Sequence, residues 1–473
     1  MINIFSGSFF IHEIITAIFI VINTLLSGFG ADKSGELASK TTLYGLLATA
    51  CSFSFTSTAG ASDCNLFIQT PFTILFKIII IVCAIFTVIF TGHTKHVRYK
   101  TYEYYNLILA AVFAAMMLVS AQDFTVVFVC GEILSISCFW LISYKNKKIA
   151  KETAFKYFVT STVATGFLLA GISYIYAICG ELNFSVLQLA YFPGTSTPLF
   201  NFAQILVLTG LTMKIGCLPF SNILPDICEG TTFPICAFLT TVPVAAGFGI
   251  TAQICSGIFS GTPSVGRFII LLSIITIFFG YVSALGESSA KRFLTHLAIA
   301  DCGFLLAALG NFSTDGIAAL IFGTVCHVIA VFGAWCVAYK FFTIERSDKI
   351  GAYAGTAKNY PLQTAAFTVF LTALIGFPPT SGFWAKIFLF LSVISPDGSG
   401  IFALIPLLLL IPVGFFSYIK ILKIFFEKPS FMPILKKQRG YGLIPLICAV
   451  LTTAIFLLPE TLKSLANTCA AGI

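Results

Sequence analysis

One acidic and two basic side chains stand inside runs of this sequence that are otherwise apolar. Glu132 lies near the middle of FTVVFVCGEILSISCFW, with Ser135 one helical turn along on the same face. Lys214 closes the run NFAQILVLTGLTMK shortly before Pro219, and Lys386 follows Pro378 and Pro379 in GFPPTSGFWAKIFLF. An ionised group at the centre of a bilayer costs at least about 2.5 kcal/mol, so each of these must be neutral, paired or hydrated. Burial opposes the charged form of a lysine and a neighbouring carboxylate favours it. A Lys beside Glu132 would therefore switch with modest changes in hydration or field, and such a pair can gate a proton. The structural alternatives are a neutral Glu held by a packing hydrogen bond and lysines that snorkel to the interface.

Other groups extend the same chemistry. Lys156 begins a further apolar run in AFKYFVTS, with Thr160 one turn on. His327, Asp301 and His296 are candidate relay groups, because histidine exchanges protons near neutral pH; a hydrogen-bonded packing role is the alternative. Lys77 and Glu13 also fall in apolar runs, but in the first three segments, where no broken partner helix is evident. There is no phosphate-cradling glycine loop, no Fe–S or haem ligand set and no nucleophile elbow, so redox or hydrolytic work by this chain alone is not expected. The 15 cysteines form no CxxC pair or metal-ligand cluster, and many lie within apolar runs as small buried residues.

The elements that position these groups follow from composition. With 58% hydrophobic and only 10% charged residues, the 473-residue chain lies outside the range of soluble domains. Apolar runs recur near residues 8–28, 41–58, 71–91, 104–121, 124–143, 154–178, 199–218, 232–256, 267–285, 293–311, 316–341, 361–392, 400–425 and 441–459. The expected fold is an all-α polytopic membrane protein with about fourteen spanning helices, each covering a hydrocarbon core of about 30 Å. The twelfth run is too long for one span, and Pro378 and Pro379 break it; a second break falls at Pro219, at the end of the seventh.

The net charge of +8 is explained by topology rather than by nucleic-acid binding. Lys and Arg collect in the loops that follow odd-numbered spans: Lys95, Arg98 and Lys100; Lys145, Lys147, Lys148 and Lys151; Lys291 and Arg292; Arg346, Lys349 and Lys358; Lys428, Lys436, Lys437 and Arg439. Arg267 and Lys463 lie on the other side. By the positive-inside rule both termini face away from the cytoplasm or matrix, which requires an even number of spans. The first run lacks a basic flank and a cleavage site, so it is expected to be a retained span. Each half holds one broken segment with a lysine near its prolines, which points to paired repeats around an ion path.

Several strings, in order over roughly residues 100 to 395, resemble NADH dehydrogenase subunit 2, an antiporter-like membrane subunit of respiratory complex I. They are CGEILSISCFWLISYKNKK, ETAFKYFVTSTVATGFLLAGISYIYAICGELN, GLTMKIGCLPFSNILPDICEGTTFPICAFLTTVP, AKRFLTHLAIADCGFLL and YAGTAKNYPLQTAAFTVFLTALIGFPPTSGFWAKIF. The combination of PF, PD, EG and a later GFPPTSGF ending in lysine is specific. The resemblance implies two inverted five-helix repeats, with broken seventh and twelfth helices. Its parts would be an N-terminal three-helix segment (1–100), repeats at 101–258 and 259–426, and a C-terminal span and tail (427–473).

By position, Glu132, Lys156, Lys214 and Lys386 match the family's proton-translocating glutamate and lysines. Three departures stand out: Val244 takes the place of a lysine in the eighth helix, Ser221 replaces the histidine of a PFH motif, and Asp301 replaces a histidine in the tenth. The missing lysine interrupts the expected polar link between the halves, which water or His327 would have to bridge.

The function so implied is that of a membrane-arm subunit of NADH:ubiquinone oxidoreductase, in which protons move as quinone is reduced elsewhere in the complex. NADH, FMN, Fe–S clusters and ubiquinone would be bound by other subunits. The expected partners are other membrane-arm and accessory subunits and structural phospholipids, not nucleic acid. The expected place is the mitochondrial inner membrane with both termini on the intermembrane-space side; a bacterial plasma membrane or thylakoid is the alternative. Two other functions fit the same residues: a stand-alone multi-subunit cation/proton antiporter, and a structural arm subunit that conducts poorly, for which Val244 argues.

Overall fold

The computed structural model describes residues 10–28, 35–55, 60–61, 65–94, 101–144, 148–190, 197–219, 221–260, 262–394, 400–427 and 443–472. The basic loop residues Lys95, Arg98, Lys100, Lys145, Lys147, Lys428, Lys436, Lys437 and Arg439 lie outside them. The described chain is almost entirely helical, with one small antiparallel pairing of β1 (Gly60–Ala61) and β2 (Ile68–Gln69).

Packing divides the chain into two compact units. The first contains α1 (Ile11–Gly28), α2 (Glu36–Ser52), α3 (Pro71–His93), α4 (Tyr102–Val119), α5 (Phe124–Ser143), α6 (Lys148–Cys179), the short α7 (Phe184–Ala190) and α8 (Pro198–Ile215). The second takes up the chain at Gly216 with α9 (Ile223–Gly230) and α10 (Phe233–Leu239). After the turn at Thr240 and Thr241, α11 (Val242–Gly257) belongs again to the first unit.

From Gly266 the second unit continues with most of α12 (Pro263–Gly286), then α13 (Ala290–Ala307), α14 (Thr314–Glu345), α15 (Thr356–Asn359), α16 (Pro361–Ile375), α17 (Ser381–Val393), α18 (Ile401–Phe426), α19 (Leu443–Leu457) and most of α20 (Pro459–Ala470). The repeats expected at 101–258 and 259–426 concern internal symmetry, which is a different property from this division by packing.

Helix starts follow local chemistry. Thr70 and Thr73 form a reciprocal capping box at α3 with Pro71 in its first turn, and the Asp123 side chain accepts from the Thr125 N–H at 2.7 Å at α5. Among the described residues, ten helical runs are long and apolar enough to cross a membrane: α1, α3, α4, α5, α6, α8, Phe233–Gly257, α12, α14 and α18. Helix α13 is built where a span was expected but carries Lys291, Arg292 and Asp301; α2 is short and rich in Ser and Thr. Helices α19 and α20 meet at 86°.

Large apolar side chains crowd the exterior, among them Phe402 (82% exposed) and Phe155 (64%), while Lys77, His327 and Lys386 are buried. Charged groups kept inside, under an apolar skin, are the arrangement lipid selects. The protein is a multi-pass membrane protein.

The two expected breaks are present. Helix α8 ends at Ile215, Gly216 has φ +94°, and helix resumes at Ile223, with Pro219 in the gap. Helix α16 ends at Gly376 (φ +87°), whose N–H and that of Phe377 both return to the Thr372 carbonyl; Pro378 and Pro379 follow before α17. The restart is tight: a Cβ at Gly382 would lie 1.8 Å from the Ala373 carbonyl oxygen. Gly382→Ala should therefore force α17 off α16 and destabilise the protein by about 1–3 kcal/mol. Faster thermal inactivation of the purified protein would register it.

Candidate functional site: two buried acid–base clusters

The first cluster is built on α5, α6 and α8. Glu132 and Ser135 share one face of α5, and Lys214 reaches them from the last turn of α8. Its Nζ lies 2.7 Å from Glu132 Oε1 and 3.3 Å from Ser135 Oγ. Thr165 of α6 donates to the same carboxylate oxygen. Close approach of α6 and α8 makes this possible, because a Cβ at Gly171 would stand 2.8 Å from the Ala203 carbonyl and one at Gly210 2.7 Å from that of Ala164. The pair is shielded but not sealed: the lysine side chain is 14% exposed and the glutamate 30%.

Lys156 does not enter this cluster. Its Nζ lies 3.3 Å from Glu152, one turn back on α6, and the two side chains are 43% and 61% exposed. Its neighbour Tyr157, about 100° around the helix, presents its hydroxyl toward Ser135 and Cys138 on α5. The polar line thus runs from Glu132 to Lys214, Ser135 and Tyr157. Replacing Tyr157 with Phe removes the hydroxyl from beside Ser135 and should slow any proton transfer at this cluster by roughly fivefold, an effect of about 1 kcal/mol. Lys156→Ala removes an exposed pair worth about 0.3–0.5 kcal/mol and should leave the rate within roughly twofold. Proton uptake by reconstituted vesicles compares the two.

The second cluster lies in the other unit. Asp301 of α13 places Oδ2 2.8 Å from His327 Nδ1 of α14 and Oδ1 3.8 Å from Lys386 Nζ of α17. His327 Nε2 points to the Thr240 carbonyl at 3.3 Å. Both partners of the ring accept hydrogen bonds when Asp301 is ionised, and a neutral imidazole has only one N–H to give. The same Nε2 lies 3.9 Å from Cys302 Sγ, whose thiol can donate to it when Nδ1 holds the ring proton.

Lys386, 3% exposed, donates to the Leu374 carbonyl at 2.7 Å and the Ile375 carbonyl at 2.5 Å, and lies 3.2 Å from the Tyr281 hydroxyl. The broken helix leaves these carbonyls without intrahelical partners, and a cation at a helix C-terminus satisfies them. Asp301, anomalous as a substitution for histidine, is the acidic partner for two bases here.

His296 stands apart from both clusters. It lies 3.3 Å from Glu287, whose carboxylate also takes the Arg292 Nε at 2.9 Å; Arg292 further pairs with Asp226 and with Glu229 at 3.2 Å. Ser221 is buried, and Val244 is 2% exposed on α11. Thr165, Tyr157 and Tyr281 carry no charge, so nothing in an apolar run singles them out.

Two interrupted helices, each carrying or adjoining a lysine set against a carboxylate, are the elements from which membrane transporters build ion sites. Residues 121–410 match the NADH:quinone oxidoreductase/Mrp antiporter transmembrane family, and the chain belongs to that family. It is 31% identical over 359 residues to NADH-quinone oxidoreductase subunit N of Rubrobacter xylanophilus, covering 74% of this chain and 72% of that one. Against subunit N of Granulibacter bethesdensis the identity is 27% over 415 residues, covering 86% and 87%.

Among solved structures it superposes on a chain of respiratory complex I from Thermus thermophilus with TM-score 0.81 and 26% identity, over 97% of this chain and all of that one. It has the same fold as a chain of the Mrp complex from Dietzia sp., with TM-score 0.83, 20% identity and coverage of 97% and 96%.

Proposed function

We propose that this chain is the subunit N-type, or subunit 2-type, membrane-arm subunit of an NADH:quinone oxidoreductase, and that it moves protons as quinone is reduced elsewhere in the complex. The observation that carries the proposal is the Glu132–Lys214 pair at the end of the first half of the broken seventh segment. Relatives named subunit N over most of both chains supply the complex to which the pair belongs. In the ion pair Lys214 is held charged by Glu132; weakening the pair makes the ammonium the better proton donor, and tightening it reloads the amine. The Lys386–Asp301–His327 cluster is the second loading point.

NADH, FMN, Fe–S clusters and quinone would be held by partner subunits, and phospholipid would cover the apolar exterior. The fold would cross the membrane about fourteen times with both termini on the outer side. The relatives named above are all bacterial, which supports a bacterial plasma membrane; the mitochondrial inner membrane is the other placement.

Co-purification in mild detergent, followed by mass spectrometry, tests the assignment. NADH-oxidising subunits should accompany the chain. Recovery with antiporter subunits alone would overturn it. A second reading, an arm subunit that scaffolds but conducts poorly, is favoured by one feature: buried Val244 stands where the resemblance implies a lysine.

A further inference from the structure

Neither cluster above uses a third acid–base pair, which lies in the N-terminal helices. Glu13 of α1 and Lys77 of α3 approach to 2.6 Å, with side chains 3% and 1% exposed. Neither carboxylate oxygen receives a well-aligned hydrogen bond among the described residues. His12, fully buried, is held by Ser52 through Nδ1 at 2.6 Å, while its Nε2 has no hydrogen-bond partner among the described residues. A purely structural pair has little reason to persist here. A buried ion pair is often no more stabilising than apolar residues of the same volume, and an ionisable group within a membrane marks function by default.

The surroundings point the same way. The polar atoms Gln69 Nε2, Ser120 Oγ and Gln253 Oε1 are buried without partners among the described residues. They lie at one end of this unit: Ile68 N–H donates to the Ser120 carbonyl at 2.8 Å, and Gln253 Nε2 to that of Val119 at 2.7 Å. Lys77 sits within the second turn of α3, which starts at that end, and a Cβ at Gly249 would meet the adjacent Phe76 ring at 3.3 Å. By the charge alternation of the loops this is the outer end. Unsatisfied buried polar groups of this kind are where ordered water binds.

We propose that Glu13 and Lys77 form a proton-transfer site outside the two repeats, opening toward the outer surface through these polar atoms. In the transfer a Lys77 N–H bond breaks as the Glu13 O–H bond forms, leaving a neutral amine and a neutral acid. Glu13 then releases that proton to water on the outer side, and Lys77 is reloaded with a proton drawn from the inner side. One proton leaves and one enters per cycle. The inference rests on the proposed role in proton movement.

The test uses the assembled complex in vesicles, with Glu13→Gln, with Glu13→Gln combined with Lys77→Met, and with Lys214→Met as the reference. The combined variant removes both charges at once and so avoids a lone buried ammonium; the isosteric Glu13→Gln carries the same readouts should the combined variant not assemble. The expected results are a loss of part of the proton-to-electron ratio and, in infrared difference spectra taken during turnover, the loss of a carboxylic C=O band present in the unaltered complex. An unaltered ratio and spectrum in the Glu13 variants, with pumping still lost in Lys214→Met, would overturn this site and leave the proposed function standing. Unaltered pumping in all of them would overturn the function itself.

Discussion

Replacing Glu132 with Gln is expected to lower NADH-driven proton uptake by about tenfold or more, short of the roughly hundredfold at which the contribution of a positioned proton-transfer group usually begins. The reason is local. Glu132 Oε1 takes both the Lys214 ammonium and the Thr165 hydroxyl, so it joins the polar groups of α8 and α6. Glutamine keeps the size and a carbonyl oxygen for Thr165, and the helices should still pack through Gly171 and Gly210. What goes is the negative charge that Lys214 faces in otherwise apolar surroundings. Assembly should persist, as judged by co-purification and by NADH oxidation with an artificial acceptor, while proton uptake fails. Lys214 left without its counter-ion also predicts weaker assembly for Glu132→Leu than for Glu132→Gln, because leucine cannot receive Thr165.

Asp301→Asn is expected to have the second large effect, again about tenfold or more in proton uptake. Asp301 is the shared partner of His327 and Lys386, and asparagine retains one acceptor while removing the charge that both bases face. The same carboxylate oxygens are only 13% exposed as a side chain, so bulk water cannot readily take over. Lys386 itself should remain anchored, since its strongest contacts are the Leu374 and Ile375 carbonyls freed by the helix break. His327→Gln, which keeps a donor toward Asp301 but cannot shuttle a proton, should reproduce the loss. Proton uptake retained in Asp301→Asn would show that the acid serves packing alone.

The charged residues were legible because an apolar run makes any charge conspicuous. The breaks were legible too, since proline removes a backbone donor wherever it falls. Both lysines were found where the sequence places them relative to those breaks. Partnership was not legible. Nothing in the chain announces that Asp301 meets both His327 and Lys386, each on a different helix, because such meetings depend on helix rotation and depth rather than on sequence spacing.

Lys156 shows the same limit within one helix. A shift of one position turns a side chain by about 100°, and it is Tyr157 that faces Ser135 while Lys156 faces Glu152. Glu13 and Lys77 were visible as charges but had no broken helix to recommend them; only packing pairs α1 with α3. Helix α13 was recognisable as a segment, yet its charges are what keep it from counting as an ordinary span.

The central claim, that this chain handles protons through Lys214 rather than merely scaffolding its neighbours, is tested most directly by the proton-to-electron ratio of the reconstituted complex carrying Lys214→Met. Methionine fills the space of the lysine stem without its charge. The account predicts that NADH oxidation continues in the assembled complex while the ratio of protons moved to electrons passed falls below that of the unaltered protein. An unchanged ratio at normal turnover would contradict it and would make the chain a structural arm subunit.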